Sequence, residues 1–289
     1  MVEHSQGMPF QIYQGEARSI LSPTGGFIRQ AGFTHSLTPA RNCTFACSYC
    51  YVPTMQVYGG LKPEDWRHWG QFTTFKSDAA ALLDRTLRPE QIVYCSPLVD
   101  PYQPAEADRR AMPDILDALL RHPPKVFVVQ TRGPLIVRDL DRLLELKKRS
   151  QLRVSFSLTT NREPVRRIFE PHCAPICERL AAIATLRQAG IRTFATLAPI
   201  LPCDPEELAA MALEATGEDI IADPFHVRAV KRHGATTREA GIAIAARHGY
   251  GAWLDPAFQQ DVLARMRQVI DLAGRRLGVG IAGFSWLAA

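Results

Sequence analysis

With 289 residues, 46% of them apolar and 22% charged, the chain has the make-up of a globular protein able to bury a large core, which excludes a disordered or low-complexity chain. Its formal net charge of +5 is mildly basic, permitting a nucleic-acid partner without requiring one. The opening Met1-Val2-Glu3-His4-Ser5-Gln6 lacks the charged-then-apolar order of a signal peptide, and no run is apolar and long enough to span a bilayer. Seven cysteines without an export signal therefore point to a reducing, cytoplasmic setting with no membrane partner.

In chain order, residues 1–32 read as a polar lead-in with a turn at Ser22-Pro23-Thr24-Gly25-Gly26. Phe33 to Leu37 is a short first strand running into a cysteine-rich loop, and Pro53 to Trp69 suits an irregular excursion. Regular alternation follows. Lys76–Leu87 has helical apolar spacing and precedes the β-branched run Gln91–Cys95; Glu106–Leu120 precedes Val126–Gln130. Arg138–Lys148 precedes Leu152–Ser157, Pro175–Ala189 precedes Ile191–Leu197, and Pro205–Ala215 precedes Ile220–Val227. Strands separated by helices pair in parallel through right-handed crossovers, so loops at one end of the sheet converge. About six such units suit a partial barrel better than a complete (β/α)8 one. Two further helices, near Thr237–Arg247 and Pro256–Arg275, form a helical C-terminal cap. The whole reads as a single domain, with a core over 18–227 and a helical extension over 228–289.

The loop Arg41-Asn42-Cys43-Thr44-Phe45-Ala46-Cys47-Ser48-Tyr49-Cys50-Tyr51 carries three thiols spaced C-x3-C-x2-C. A [4Fe–4S] cubane fits this set, because three cysteines each hold one iron and the fourth iron stays open for chemistry. Structural zinc wants four closed ligands, usually as two separated pairs, and no partner pair stands at such a distance. A disulfide framework conflicts with an odd cysteine count. Buried thiols without a metal are the remaining reading.

The cysteine spacing, with Tyr49 before the last thiol, resembles the signature of the radical S-adenosylmethionine (radical SAM) superfamily. The strand ends extend that likeness: Asp100-Pro101-Tyr102-Gln103-Pro104-Ala105-Glu106, Thr131-Arg132, Glu170-Pro171 and Ala198-Pro199-Ile200-Leu201-Pro202 stand in order. Together they resemble the spore photoproduct lyase-like branch over roughly residues 18–205. The resemblance implies an α/β fold, a partial (β/α)6 TIM-like barrel with parallel strands, whose site lies at the strands' C-terminal ends. It implies a [4Fe–4S] cluster on Cys43, Cys47 and Cys50, and S-adenosyl-L-methionine bound at the open iron. Reductive cleavage of that sulfonium would give a 5′-deoxyadenosyl radical that takes hydrogen from a substrate. An external one-electron reductant of flavodoxin or ferredoxin type would be needed.

Residue roles follow from the same resemblance. Tyr51 lies near the nucleoside, and Tyr49 and Tyr51 both suit radical transfer. Arg132 stands where the lyase has a Lys on the cofactor's carboxylate, a role that suits a guanidinium. Ser157 matches a ribose-binding serine if Val154 and Phe156 face the helices, and Ser96 is a further cofactor contact. Cys95 stands where the lyase has a thiol that returns hydrogen to the product radical; a buried strand-end thiol is the alternative. Cys173 and Cys177, spaced i, i+4, and Cys203 form a second group that is either an auxiliary soft-metal site or packing. Glu170 suits an ion pair with Arg179, while Asp100 and Glu106 suit substrate contact or a helix cap. Asp223 and His226 end the sixth strand. The basic residues Arg138, Arg142, Lys147, Lys148, Arg149 and Arg153 read as a solvated face. Nothing reads as a duplex-engaging element, so a small molecule or peptide is favoured over DNA as substrate. Repair of a thymine photoproduct is the alternative, and a zinc-binding scaffold without catalysis is the second.

Overall fold

The computed structural model describes residues 10–54, 68–227 and 237–289. Most of the excursion expected between Pro53 and Trp69, and the start of the expected C-terminal extension, lie outside these residues. The strands are β1 (Gln11–Gly15), β2 (Leu21–Pro23), β3 (His35–Leu37), β4 (Ala40–Arg41), β5 (Phe72–Lys76), β6 (Ile92–Cys95), β7 (Val126–Thr131), β8 (Gln151–Ser157), β9 (Arg192–Leu197), β10 (Ile220–Ala222) and β11 (Leu277–Val279). Eight form one sheet in the order β11-β10-β9-β8-β7-β6-β3-β2. The six expected strands, β3 and β6 to β10, are its parallel centre, paired in chain order. β10 is shorter than expected: it stops at Ala222, two residues before Pro224, which lacks a ladder donor. The other two strands of this sheet were not foreseen, nor were the three of a second, small sheet formed by β1, β5 and β4. β2 closes one edge antiparallel to β3, and β11 adds a parallel strand to β10.

β7 is buried on both faces, with Val126 to Val129 at most 1% exposed, as a strand covered by helices on one side and filled on the other must be. Val93, Phe127, Val129, Val154 and Phe156 pack in a cluster with Met112, Ile115 and Leu116 of the helix Ala111–Arg121. The alternate residues Tyr94, Val126, Val128 and Phe194 pack instead with Phe284 and Leu287 of the last helix, Ile281–Ala288. That helix lies against the first residues of the strands. It closes their N-terminal end and leaves the C-terminal ends for a site. Its close approach needs glycine at Gly283, where a Cβ would stand 2.4 Å from the Gly278 carbonyl oxygen. Arg153 bonds this helix too, Nη1 donating to the Leu287 carbonyl at 2.8 Å. It is 7% exposed and not part of a solvated face.

The expected helix Glu106–Leu120 is divided at Arg110, whose φ is 51°, into Glu106–Arg109 and Ala111–Arg121. The Glu106 carboxylate accepts the N–H of Ala111 at 3.0 Å and of Met112 at 2.9 Å, satisfying donors at the start of the second helix. Arg138 also departs from the solvated reading, pairing at 2.8 Å with both Glu106 and Asp139, two buried carboxylates. Among the described residues no helix is long and apolar enough to cross a membrane.

Candidate active site

The cysteine loop follows β4, the edge of a small sheet ordered β1-β5-β4. Its shape is set by two residues in the left-handed region, Asn42 (φ 63°) and Ala46 (φ 54°). The Asn42 side chain accepts the N–H of Cys43 at 2.7 Å and of Gly70 at 3.1 Å. Gly70 (φ 93°) is pressed against the loop, where a Cβ would stand 2.3 Å from that of Ala46. Turns closed by Ala46 N–H to Cys43 O and Cys50 N–H to Cys47 O keep the three thiols on one short curve.

Gln103 ties this curve to the sheet. Its Oε1 accepts from Thr44 N at 2.7 Å and Thr44 Oγ1 at 3.0 Å, while its Nε2 donates to Thr73 Oγ1 at 3.3 Å. Gln103 is fully buried, so the Asp-Pro-Tyr-Gln segment serves as a brace under the cysteines, a role its sequence did not single out. Gln103→Ala would orphan the buried Thr44 donors. We expect it to destabilise the fold by about 1–3 kcal/mol in chemical denaturation and to lower the iron retained after anaerobic reconstitution.

The far side of the loop is stitched to the turn Phe169–Cys173: Ser48 N–H donates to Phe169 O at 2.9 Å, and Tyr49 Oη donates to the Glu170 carboxylate. Glu170 is 0% exposed and gathers four partners. Arg132 Nη1 lies 2.6 Å away, Thr159 Oγ1 at 2.8 Å, and Arg179 and Tyr49 complete the set. Burial alone would raise this carboxyl, but Arg179 and Arg132 pull it down to about 2. The expected Glu170–Arg179 ion pair is present, and Arg132 makes it a triad. One carboxylate against two guanidiniums leaves net positive charge. Tyr49, raised by burial, keeps the proton it donates. Arg132 is oriented by Asp100, which accepts from Thr131 Oγ1 at 2.6 Å and Arg132 N at 2.8 Å.

Cys43 and Cys47 are buried and Cys50 is half-buried. Burial raises the Cys43 thiol and pushes Cys50 up to about 12, whereas Cys47 is lowered by a hydrogen bond from Cys173 and by Arg132. Among the described residues no three His, Cys, Asp or Glu side chains are gathered tightly enough to share one metal ion. Tetrahedral zinc at about 2.3 Å would draw its sulfurs to about 3.8 Å of one another. A cubane takes one thiolate per iron and holds them farther apart.

Ser96, 6% exposed after β6, has a buried Oγ without a partner among the described residues. Tyr51 Oη donates to the carbonyl of adjacent Pro97, bringing that loop to the cysteines. Ser157 is 1% exposed at the end of β8, on the face opposite Val154 and Phe156 as their helix-side packing requires. Cys95, expected as a hydrogen donor or a buried strand-end thiol, is 0% exposed and registers beside Leu37 and Val129 in the helix-side cluster, while Tyr94 takes the inner face. The second cysteine group does not assemble. Cys177 is exposed, Cys203 packs in the helix-side cluster, and Cys173 lies against Cys47 with its Sγ at 3.9 Å. The helix begins at Ile176 after Pro175, so Cys173 sits on the preceding turn and helical spacing never relates it to Cys177. At the end of β10, His226 and Asp223 pair at 3.0 Å.

A largely parallel α/β sheet with a braced three-thiol loop beside a buried Glu170–Arg132–Arg179 triad defines the class of protein this is. The model of the Radical SAM superfamily matches residues 37–215, more than half of the sequence, and the chain belongs to that superfamily. An uncharacterized protein of Mycobacterium tuberculosis is 29% identical over 174 residues, 59% of this chain and 50% of that protein. One of Methanocaldococcus jannaschii is 24% identical over 192 residues, 66% of this chain and 68% of its own length. The chain thus spans about half the length of the mycobacterial relatives it matches. Among solved structures, a spore photoproduct lyase variant aligns with TM-score 0.61 at 16% identity, covering 93% of this chain and 81% of that one. Spore photoproduct lyase complexed with dinucleoside spore photoproduct aligns with TM-score 0.59 at 14% identity over the same shares. At these identities the likeness is one of fold.

Proposed function

We propose that the protein cleaves S-adenosyl-L-methionine reductively at a [4Fe–4S] cluster and uses the resulting 5′-deoxyadenosyl radical to take hydrogen from a small molecule or peptide. The observation that carries this reading is the set Cys43, Cys47 and Cys50 on one braced loop beside the Glu170–Arg132–Arg179 triad. The residues fit the implied groups. Three thiols on one curve suit three irons, and the orphaned Ser96 Oγ suits a polar contact to a nucleoside. The triad's surplus positive charge suits a carboxylate.

Bound cluster and sulfonium would supply the homolysis; the chain supplies position and exclusion of water. Cys43, Cys47 and Cys50 would hold one iron each. Arg132 spends Nη1 on Glu170 and Tyr49, leaving Nε and Nη2 without a partner among the described residues and able to orient an amino-acid carboxylate. Asp100 fixes the backbone from which Arg132 projects. Tyr51 and Ser157 would border the nucleoside. The chain needs an external one-electron reductant of flavodoxin or ferredoxin type, and it would act in the cytoplasm.

The photoproduct-repair alternative is less supported, since the hydrogen-return role would require Cys95 on the inner face. Anaerobically reconstituted protein with dithionite and S-adenosyl-L-methionine should release 5′-deoxyadenosine, with deuterium gained from a labelled substrate. Protein holding four irons that releases none would sink the enzyme reading. Salt-dependent binding of duplex DNA, with deuterium returned to a thymine adduct, would favour repair instead.

A further inference from the structure

Cys173 has no task in the reading above, although its Sγ lies 3.9 Å from that of Cys47, one of the assigned cluster ligands. We propose that Cys173 is a positioning residue for the cluster: its thiol donates an S–H···S hydrogen bond to the Cys47 sulfur and makes the cluster easier to reduce. The inference rests on the cluster assigned to Cys43, Cys47 and Cys50.

The Sγ–Sγ separation of 3.9 Å is within hydrogen-bond reach for sulfur. Cys173 is 5% and Cys47 7% exposed, so water does not compete for the contact. A sulfur that ligates iron carries no proton. The proton shared across this contact therefore belongs to Cys173, which becomes the donor.

The thiol is also held in place. Arg166, 7% exposed, donates from Nη1 to the Cys173 carbonyl at 2.6 Å and to the Glu170 carbonyl at 3.1 Å, while its Nε bonds Glu163 at 2.7 Å. The Cys173 N–H closes the turn onto Glu170 O at 3.1 Å. Ser48 N–H bonds Phe169 O and so ties the turn bearing Cys173 to the loop bearing Cys47. A donor fixed this firmly keeps its strength when charge on the cluster changes.

Adding an electron raises negative charge on the ligating sulfurs, and a hydrogen bond to one of them stabilises the reduced form more than the oxidised form. Hydrogen bonds to sulfur are an established determinant of cluster potential. The charged neighbours act in both directions, Glu170 opposing reduction and Arg132 and Arg179 favouring it. Cys173 adds a neutral donor that leaves their balance unchanged.

The test uses the full chain, reconstituted anaerobically with iron and sulfide, as wild type, Cys173→Ala and Cys173→Ser. The reduced-cluster electron paramagnetic resonance signal is followed against solution potential. At the potential where wild type is half reduced, Cys173→Ala should show a reduced-to-oxidised ratio lower by about threefold to tenfold, tenfold being 59 mV for one electron. Cys173→Ser, whose hydroxyl donates to the same sulfur, should stay within about twofold of wild type. Iron content should be equal in all three. Equal potentials for wild type and Ala overturn the inference, and so does loss of iron in Cys173→Ala, which would make Cys173 a ligand. If the Ala variant does not fold, electron–nuclear double resonance on reduced wild type in H2O and D2O decides: an exchangeable proton coupled at the cluster supports the bond, and its absence overturns it. Wild type that assembles no iron–sulfur cluster removes the underlying reading as well, a result distinct from unshifted potentials.

Discussion

Cys47→Ala is expected to yield a folded chain that no longer assembles an iron–sulfur cluster. The fold loses little, because Cys47 sits in an irregular loop whose course is set by contacts of Asn42, Ala46, Gly70 and Gln103 that do not use the missing sulfur. Removing one buried sulfur is expected to destabilise by about 1 kcal/mol, well below the loss of a large core side chain. The effect on the metal is far larger. With two thiols left, a second iron joins the open one in having no protein ligand. Cys47 is also the thiol whose pKa is lowered, by the Cys173 hydrogen bond first and then by Arg132, so it is the readiest to bind as thiolate. Release of 5′-deoxyadenosine should fall by more than about 100-fold, the upper end of what losing a mere outer-shell partner causes. Visible absorbance and iron analysis check the first step, and nucleoside release checks the second. The contrast is Cys177→Ala, whose exposed thiol lies apart from the loop and whose loss should leave both readings unchanged.

The parallel centre of the fold was readable because its signals are local. Val126-Phe127-Val128-Val129 is apolar at every position, as a strand buried on both faces must be, and helical spacing separates it from the next such run. β11 gave no such signal, being three residues long with a glycine in the middle; that glycine matters because Gly283 and the Trp286 ring of another element must approach it. The cysteine loop was legible from spacing alone, but its brace was not. Gln103 acts through Thr44 and Thr73, which lie 59 and 30 residues away in sequence. The surface reading of Arg138 and Arg153 failed for a related reason: an arginine looks solvated in sequence until a tertiary partner, Glu106 or the Leu287 carbonyl, takes its guanidinium out of water. Strand parity decides Cys95. Which of Tyr94 and Cys95 faces inward depends on Phe33, Phe284 and Leu287 filling the inner side, a fact about the far ends of the chain.

Glu170→Gln should be the most destabilising of the substitutions considered, because it leaves two guanidiniums beside a group that no longer carries charge. Arg179 is 1% and Arg132 13% exposed, so neither can turn to bulk water for compensation. Removing one partner of a buried charge set costs about 3–5 kcal/mol, whereas truncating the exposed Glu145–Lys148 pair, 51% and 67% exposed, should cost about 0.5 kcal/mol or less. Acid provides an independent check. The Glu170 carboxyl is lowered to about 2 in the folded chain, against an ordinary 4.5. A group depressed on folding stabilises the native state above its unfolded value, and that contribution is lost as pH falls through the folded value. The gap is worth about 3 kcal/mol, close to the cost expected of the substitution. Wild type should therefore lose this stability between about pH 4.5 and 2, while Glu170→Gln, already without it, should show a correspondingly shallower decline. Urea midpoints at several pH values measure both slopes. Parallel slopes for the two proteins would mean that the triad's charge is balanced elsewhere and that Glu170 is not what holds Arg132 and Arg179 in place.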